Sequence, residues 1–458
     1  MSAAFEYALQ DTPRLPLIHL ATPGRTLAWR DGRAVRVAEF LADVAATAAV
    51  LPPAGDAINL CEDRYAFLVA FCAVACRGRA NLLPPSRAAQ AIDEVLAAYP
   101  GSFTLGDRAL QPAPAGFVPL PPLGVHGRLD VVPSLPAGQV VAIGFTSGST
   151  GQPKANPKTW ASFHASNARN VEALAGLDGF DRGAIVHVVA TVPPQHMYGI
   201  ELSIVLPLLG PCAIHSGRPL FPGDLAEALA AVPAPRLLVT TPVHLRALLR
   251  DPAPLPALAA ITSATAPLSV DLAAEAEARY RAPVLELFGS TETCVIARRR
   301  TACESAWHLY PGVQLHPQPD GTQVEAAHLP QPVVLQDVVE LIGDGQFLLR
   351  GRHADLVEIA GKRASLADLT RRVLALDGVE DAIVVQLDEP DRFGVQRIAA
   401  LVVAPGRDTA AMLRELRDAM DAAFLPRPLR KVAALPRNET GKLPRAAVLA
   451  ALTGTRRS

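Results

Sequence analysis

The chain has 458 residues, half of them hydrophobic, and a formal net charge of -1. That length exceeds one compact core and points to roughly two to four domains or subdomains, while charges that nearly cancel exclude a general nucleic-acid binder, which carries a basic excess. The longest apolar run, Ala66 to Cys76, is too short to span a bilayer and reads as a buried helix.

No cationic leader with an apolar segment opens the sequence, so a cytoplasmic protein is expected. Six cysteines occur, at positions 61, 72, 76, 212, 294 and 303. Cys72 and Cys76 are one helical turn apart, but no second ligand pair with zinc-like spacing accompanies them. They read as free thiols suited to a reducing compartment.

In chain order, residues 1 to about 135 alternate helical and short strand patterns. Helices are expected over 35–50, 65–77 and 88–99, with a strand over 57–60. Strand then helix, repeated, predicts βαβ units on a largely parallel sheet. The Pro- and Gly-rich stretch 112–136 reads as a connecting loop. Nothing in this region carries recognisable chemistry.

The apolar run Val140 to Ile143 reads as a buried strand leading into Gly144-Phe-Thr-Ser-Gly-Ser-Thr-Gly-Gln-Pro-Lys154. Thr146, Ser147, Gly148, Ser149, Thr150 and Gly151 offer bare backbone N–H groups and hydroxyls that suit phosphate oxygens. Glycine lets the backbone approach the anion. Lys154 adds a positive charge. The spacing is not that of a P-loop, which needs Gly-Lys-Ser/Thr.

This loop resembles the phosphate-binding motif of the adenylate-forming enzymes: acyl-CoA synthetases, aryl-acid ligases, peptide-synthetase adenylation domains and luciferases. That resemblance implies a carboxylate joined to AMP from ATP, release of pyrophosphate, and transfer of the acyl group to a thiol. The family loop usually continues Pro-Lys-Gly, whereas Ala155 follows Lys154 here.

After a predicted helix over 159–174 and a strand over 184–190, Pro193, His196 and Gly199 match the family's Pro-x-x-His-x-x-Gly segment. The position follows a strand's carboxyl end, where ligands bind in open α/β sheets. By the resemblance His196 orients the acid and offsets charge on the α-phosphate, with Tyr198 and Gly199 beside it. Leu202 to Leu209 is expected to continue a buried helix. Ser263-Ala-Thr-Ala-Pro-Leu268 stands where the family has Ser-Gly-Gly-Ala-Pro-Leu. Ser263, Ala264 and Thr265 would then back the acid and the adenine, and Ala264 and Thr265 add bulk in place of two glycines.

A second motif, Phe288-Gly-Ser-Thr-Glu292, follows an apolar strand. An aromatic face beside a glycine can stack on a purine, and a carboxylate can hold the Mg²⁺ that ATP requires. The motif resembles the family's Tyr-Gly-x-Thr-Glu. This assigns Phe288, Gly289, Ser290 and Thr291 to ATP, and Glu292 to the metal and to catalysis. The basic run Arg298 to Arg300 reads as a solvated edge or a contact for phosphopantetheine or a carrier protein.

Asp344-Gly345 predicts a hairpin turn. Asp337 and Arg352 match the family's ribose-binding Asp and the Arg of its later Gly-Arg, although Leu335 and Gln336 replace Thr-Gly. The family pivots between its two half-reactions two residues after that Arg. Here Ala354 stands there with Asp355 next, so the hinge falls on this pair. Gly361 matches the loop that enters for the thioester step, and Glu358 stands where a Lys is common.

Helices over 367–376 and 410–423 and strands over 379–386 and 398–403 outline a small C-terminal α+β domain. Near its end, Pro436, Asn438, Gly441, Lys442 and Arg445 match the family's C-terminal catalytic motif. A point-charge ammonium at Lys442 suits a carboxylate and an α-phosphate meeting in a transition state.

Fold class is therefore α/β: a large N-terminal domain of βαβ subdomains plus a small β-rich part over 1–351, then a small α+β domain over 352–458. The resemblance implies a cytoplasmic ATP- and Mg²⁺-dependent acid–thiol ligase acting on a small carboxylic acid. The run Gly361 to Leu366 and the compact length are similar to the small ligases of aryl-polyene and xanthomonadin-type pigment clusters. Those act on 3- or 4-hydroxybenzoate-like acids and load an acyl carrier protein. A medium-chain fatty acid, coenzyme A as acceptor, and a non-catalytic nucleotide-binding regulator are the alternatives. No nucleic acid and no membrane span are expected.

Overall fold

The structure, a computed structural model, describes residues 13–114, 116–147, 153–177, 183–318, 321–352, 356–359, 362–391, 395–438 and 441–454. For Ser147, Pro153, Arg352, Leu356, Glu358, Lys362, Arg363 and Asp418 it describes the backbone alone. The chain forms two compact units. The first runs to Val313 and includes Ala326–Gln331; the second holds Gln314–Glu325 and everything from Pro332.

The first unit contains two parallel-centred sheets. One is ordered Val140–Ser147, Asn81–Leu83, Ala57–Asn59, Phe103–Gly106, Phe117–Pro119, all parallel, with Pro153–Thr159 antiparallel at its edge. Two prolines in Pro153–Thr159 fit an edge strand, where a missing N–H breaks no ladder. The central sheet runs Val284–Ser290, Ala260–Ser263, Arg236–Thr240, Val186–Ala190, Cys212–His215, Thr26–Arg30, all parallel. Antiparallel strands flank it: Cys294–Arg299 and Trp307–Leu309 on one side, Arg33–Arg36 on the other. Val186–Ala190 and Ala260–Ser263 are buried along their whole length, as parallel strands covered on both faces must be.

The helix Arg64–Cys76 is apolar all round except at its first residue. Its N-cap Asp63 accepts the Ala66 N–H at 2.8 Å. Such a helix belongs inside. Phe67 and Phe71 are fully buried, each stabilising the fold by about 1.5–3 kcal/mol.

Most expected elements form within a residue or two of their predicted ends. Two differ in kind. The stretch 112–136 is not wholly a loop: it contributes Phe117–Pro119 and Ser134–Pro136 as short strands. The predicted helix over 202–209 instead begins with a π-helical turn, Glu201–Val205, in which Leu206 N donates to Glu201 O. Buried side-chain bonds from Glu201 and Ser203 favour that extra residue in the turn. The helix expected to reach 423 stops at Ala419, and a 3₁₀ turn, Ala422–Phe424, follows.

In the second unit, Asp337–Gly343 and Gln346–Arg352 form the predicted hairpin, with Asp344 and Gly345 both at positive φ (47° and 70°). A small sheet pairs Asp381–Gln386 antiparallel with Ile398–Val403, which runs parallel to Leu429–Lys431. Period-two alternation sorts its middle strand. Ile398, Ala400 and Val402 pack on the helices Leu366–Leu374 and Thr409–Ala419, while Ala399, Leu401 and Val403 pack on Arg445–Thr453.

Candidate active site

Carboxyl ends of the parallel strands and three turns in the first unit build the candidate site. The hairpin Val140–Ser147/Pro153–Thr159 presents the phosphate loop. Thr146 lies opposite Lys154 and Gly144 opposite Asn156. Residues 148–152, which carry Gly148, Ser149, Thr150 and Gly151, lie outside the described residues. Thr146 Oγ1 donates to Glu292 Oε1 at 3.2 Å, so the structure joins the first and second motifs directly.

The second motif turns tightly after Phe288. Ser290 N donates to Thr293 Oγ1 at 3.1 Å, and Ser290 Oγ accepts from Glu292 N and Thr293 N at 3.2 Å. Cys294, at φ 61°, reverses the chain. Gly289 is required: a methyl group on it would lie 2.1 Å from Cys294 O. The Phe288 ring packs at 5.4 Å from Trp307 rather than standing free. Thr291 Cγ2 and Met197 Cε close on Gly144, where an added Cβ would meet them at 2.6 Å and 3.3 Å. The phosphate strand, the Glu292 turn and the His196 turn therefore adjoin.

His196 is half-buried and sits immediately before the short helix Met197–Ile200. Gly199 closes the turn against Pro193 O, which would lie 1.9 Å from a side chain there. Tyr198 is buried, and its hydroxyl donates to Thr262 Oγ1 at 2.9 Å. Burial pushes its ionisation well above the ordinary range, and the Thr262 bond partly offsets this. Ser263 is fully buried at its strand end and Ala264 is nearly so. Thr265 takes φ 79°, a conformation costly to a β-branched residue and natural to the glycine it replaces.

Several residues that support the site were not singled out in the sequence. Asn156 Nδ2 lies within hydrogen-bond reach of Gly144 O, Lys154 O and Thr146 Oγ1, at 3.0–3.3 Å. Lys158, buried on the same strand face, donates to Glu292 O at 2.5 Å. Their spacing from Lys154, two and four residues on, was the available signal. Glu201 is buried and holds the far end of the Glu292 turn. Val295 N donates to both its oxygens, at 3.0 and 3.2 Å, and Ser166 Oγ to one at 2.5 Å. Burial raises its carboxyl above the usual range, while these bonds and the Lys158 charge pull the other way.

In the second unit, Asp337 and Arg352 are cross-strand partners at the hairpin's base. Asp337 is buried, and Thr322 Oγ1 donates to its carbonyl at 2.7 Å. Lys442 follows a turn in which Gly441 N donates to Asn438 O at 2.9 Å and Lys442 N to Asn438 Oδ1 at 2.8 Å. Arg445 Nη2 donates to Gln386 O and Asp388 Oδ1. Ala354, Asp355 and Gly361 lie outside the described residues.

The basic run 298–300 is partly structural, not simply a solvated edge. Arg299 pairs with Glu286 at 2.7 Å and stacks over Trp307 at 4.4 Å; Arg300 pairs with Glu277 at 2.8 Å. Cys72 is buried and its thiol is pushed up by burial. Among the described residues no group of three or more His, Cys, Asp and Glu is arranged to hold a metal alone, and no helix is long and apolar enough to cross a membrane. Glu292 with the Thr146 hydroxyl is nevertheless a fitting donor set for Mg²⁺, which takes one or two carboxylates and completes its shell with phosphates and water.

A family model described as AMP-binding enzyme matches residues 33–327. The 4-coumarate–CoA ligase of Rhodobacter capsulatus is 30% identical over 305 residues, covering 66% of this chain and 74% of that protein. The salicylyl-CoA synthase / salicylate adenylyltransferase of a Streptomyces species is 26% identical over 375 residues, covering 70% and 64%. Among solved structures, the o-succinylbenzoate coenzyme A synthetase of Bacillus subtilis, in complex with ATP and magnesium ion, superposes with a TM-score of 0.78. It is 16% identical, with 95% of this chain and 100% of that one covered. The ATP-bound MatB of Rhodopseudomonas palustris gives 0.76 at 20% identity, covering 95% and 97%. The structural matches show the same α/β fold, and the sequence match over 33–327 shows the lineage: the chain belongs to the AMP-binding enzyme family.

Proposed function

We propose that this acid–thiol ligase, working with ATP and Mg²⁺, activates a hydroxybenzoate-like aryl acid and delivers it to the phosphopantetheine thiol of an acyl carrier protein. The observation that carries the choice of acid is polar. Gln195 is buried with neither amide atom hydrogen-bonded among the described residues, and Ser263 Oγ is likewise buried without a partner. Such groups are costly to leave unpaired. In this reading a ring hydroxyl would be their partner, which an alkyl chain cannot be. Relatives named for 4-coumarate and salicylate support an aromatic acid.

In this reading the ionised carboxylate needs no base. His196 orients it, and its oxygen attacks the α-phosphorus while the bond to the pyrophosphate leaving group breaks. Lys442 bridges the carboxylate and α-phosphate oxygens as charge concentrates there. Phe288 stacks on the adenine beside Gly289, Ser290 and Thr291. Asp337 accepts from the ribose hydroxyls, with Arg352 opposite it. The loop from Thr146 to Gly151, with Lys154, receives the β- and γ-phosphates. Glu292 and Thr146 would hold Mg²⁺, which would supply charge neutralisation on the phosphate oxygens. A pivot at Ala354 and Asp355 then exchanges Lys442 for the Gly361 loop. The thiol sulfur attacks the acyl carbon, and AMP leaves. The chemistry is positioning and charge balance, with no covalent bond to the protein.

Coenzyme A is the second reading for the acceptor, favoured by the relatives named as CoA ligases. Acid-dependent ATP–pyrophosphate exchange across benzoates, cinnamates and fatty acids tests the acid. Exchange confined to alkyl acids overturns the aryl assignment. Thioester formation on coenzyme A but on no carrier protein overturns the acceptor.

A further inference from the structure

The helix Arg64–Cys76 is buried along nearly its whole length, and its only charged side chain is Arg64, which is fully buried. Among the described residues no carboxylate is bonded to this guanidinium, and the neighbouring Asp63 charge offsets less than burial and Arg218 take away. Its bonds go to neutral acceptors: Ala190 O at 2.9 Å, Val192 O at 2.7 Å and Ser203 Oγ at 2.5 Å. Burial, and then the nearby Arg218 charge, push its pKa down to about 9. A charge buried without an ionic partner is expensive to keep, and a hydrophobic residue would fit this helix better.

What those acceptors share is the turn bearing His196. Ala190 ends the strand that leads into it, and Val192 directly precedes Pro193. Ser203, in the π-helical turn beyond, donates in turn to Gly199 O at 2.6 Å. One guanidinium therefore holds the entry of the turn through two carbonyls and its exit through a hydroxyl. The Glu292 turn is tethered by different groups, through Glu201 to Val295 N and through His328 Nε2 to Thr293 O at 2.6 Å.

We propose that Arg64 is a positioning residue for the acid half of the adenylation site, setting the His196 turn from both ends without touching either substrate. The inference rests on the reading that this turn meets the carboxylic acid. It is a role for a residue in the N-terminal third of the chain, where no sequence motif points to chemistry.

The test compares the wild type with Arg64→Met, Arg64→Lys and Ser203→Ala in the full chain. Ser203→Ala cuts only the exit of the turn and retains the guanidinium, so it reports even if Arg64→Met fails to fold. In ATP–pyrophosphate exchange, we expect Arg64→Met to raise the KM for the acid by about ten- to a hundredfold, with the KM for ATP within about twofold. Arg64→Lys should restore part of the loss, because an ammonium reaches fewer acceptors in fixed geometry. Amide hydrogen exchange over 190–200 should accelerate in Ser203→Ala while that over 291–295 does not. An unchanged acid KM, or equal losses for acid and ATP, overturns the proposal. So does unchanged amide exchange over 190–200. A wild type inert with every acid defeats the functional reading instead, and the amide-exchange arm then still decides whether the clamp exists.

Discussion

Arg437 and Asp381 form a bidentate ion pair that carries the Lys442 turn. Arg437 Nη2 reaches both carboxylate oxygens of Asp381, at 2.8 and 2.9 Å, and Nη1 donates to Gly441 O at 2.8 Å. Both side chains are about four-fifths buried (21% and 19% exposed), so water screens the pair only partly. Asp381→Asn keeps the shape and removes the charge, weakening charge-assisted bonds of about 1.5–3 kcal/mol. If Lys442 acts at the α-phosphate, the exchange rate should fall by about tenfold while the KM for ATP holds. Steady-state exchange kinetics on the variant check this, and a change confined to the KM for ATP would contradict it.

Lys442 itself should be indispensable to adenylation. Lys442→Ala removes the charge assigned to the transition state and should lower acid-dependent exchange by about a hundred- to a thousandfold. ATP binding, followed by calorimetry, should be nearly unchanged, because that ammonium is assigned no ground-state contact with the nucleotide. Unchanged turnover would remove Lys442 from the reaction.

Glu292→Gln tests the metal assignment. The amide keeps a partner for Thr146 Oγ1 and loses the charge. The Mg²⁺ concentration giving half-maximal exchange should rise by about ten- to a hundredfold. Equal activity at limiting Mg²⁺ in both proteins would show that the carboxylate does not serve the ion.

The motif residues were legible through their resemblance to the family's motifs, and their supporting bonds are local: Ser290 N to Thr293 Oγ1, and Gly441 N and Lys442 N to Asn438. Asp337 and Arg352 were picked out by the family's separation of that Asp from that Arg; the structure adds that the Asp344-Gly345 hairpin sets the two opposite one another. Arg64, Glu201 and His328 were not legible. Each acts through partners more than thirty residues away or in another strand layer, such as Val295 for Glu201 and Ser203 for Arg64. Nothing in a helix of alanines, valines and phenylalanines reveals that its first arginine points inward at a carbonyl cluster. The π-helical turn was hidden likewise, since its extra residue answers to tertiary bonds rather than to helical periodicity.

Thr265 gives a stability prediction. At φ 79° a β-branched residue is strained, at a cost of about 1–3 kcal/mol. Thr265→Gly relieves this and adds about 0.5–1 kcal/mol of chain entropy to be lost on folding. The balance favours the variant, with a rise in Tm of about one to a few degrees by calorimetry. The same change removes bulk beside Ala264, so longer aryl acids should gain in exchange relative to benzoates. A lower Tm would mean that the threonine's own contacts outweigh the strain.

His328 should make the Glu292 turn acid-sensitive. Arg169 Nη1 lies 2.5 Å from its Nδ1, which must therefore accept, and its Nε2–H donates to Thr293 O at 2.6 Å. That arrangement requires the neutral ring. Burial first, with the Arg169 and Lys158 charges adding to it, lowers its pKa from 6.5 to about 4. The sign follows from proton counting. Between pH 6.5 and about 4 the unfolded chain binds a proton that the folded chain refuses, so stability falls as the pH drops through that window. It is fully retained above 6.5. The displacement corresponds to on the order of 3 kcal/mol at its limit. His328→Gln keeps a side chain able to donate to Thr293 O and abolishes the titration. Denaturant unfolding of the two proteins at pH 7.5 and pH 5 should show the wild type losing stability at the lower pH by more than the variant does. Parallel losses in both would place the acid sensitivity elsewhere, with His164, which burial also lowers to about 4, as the next group to replace.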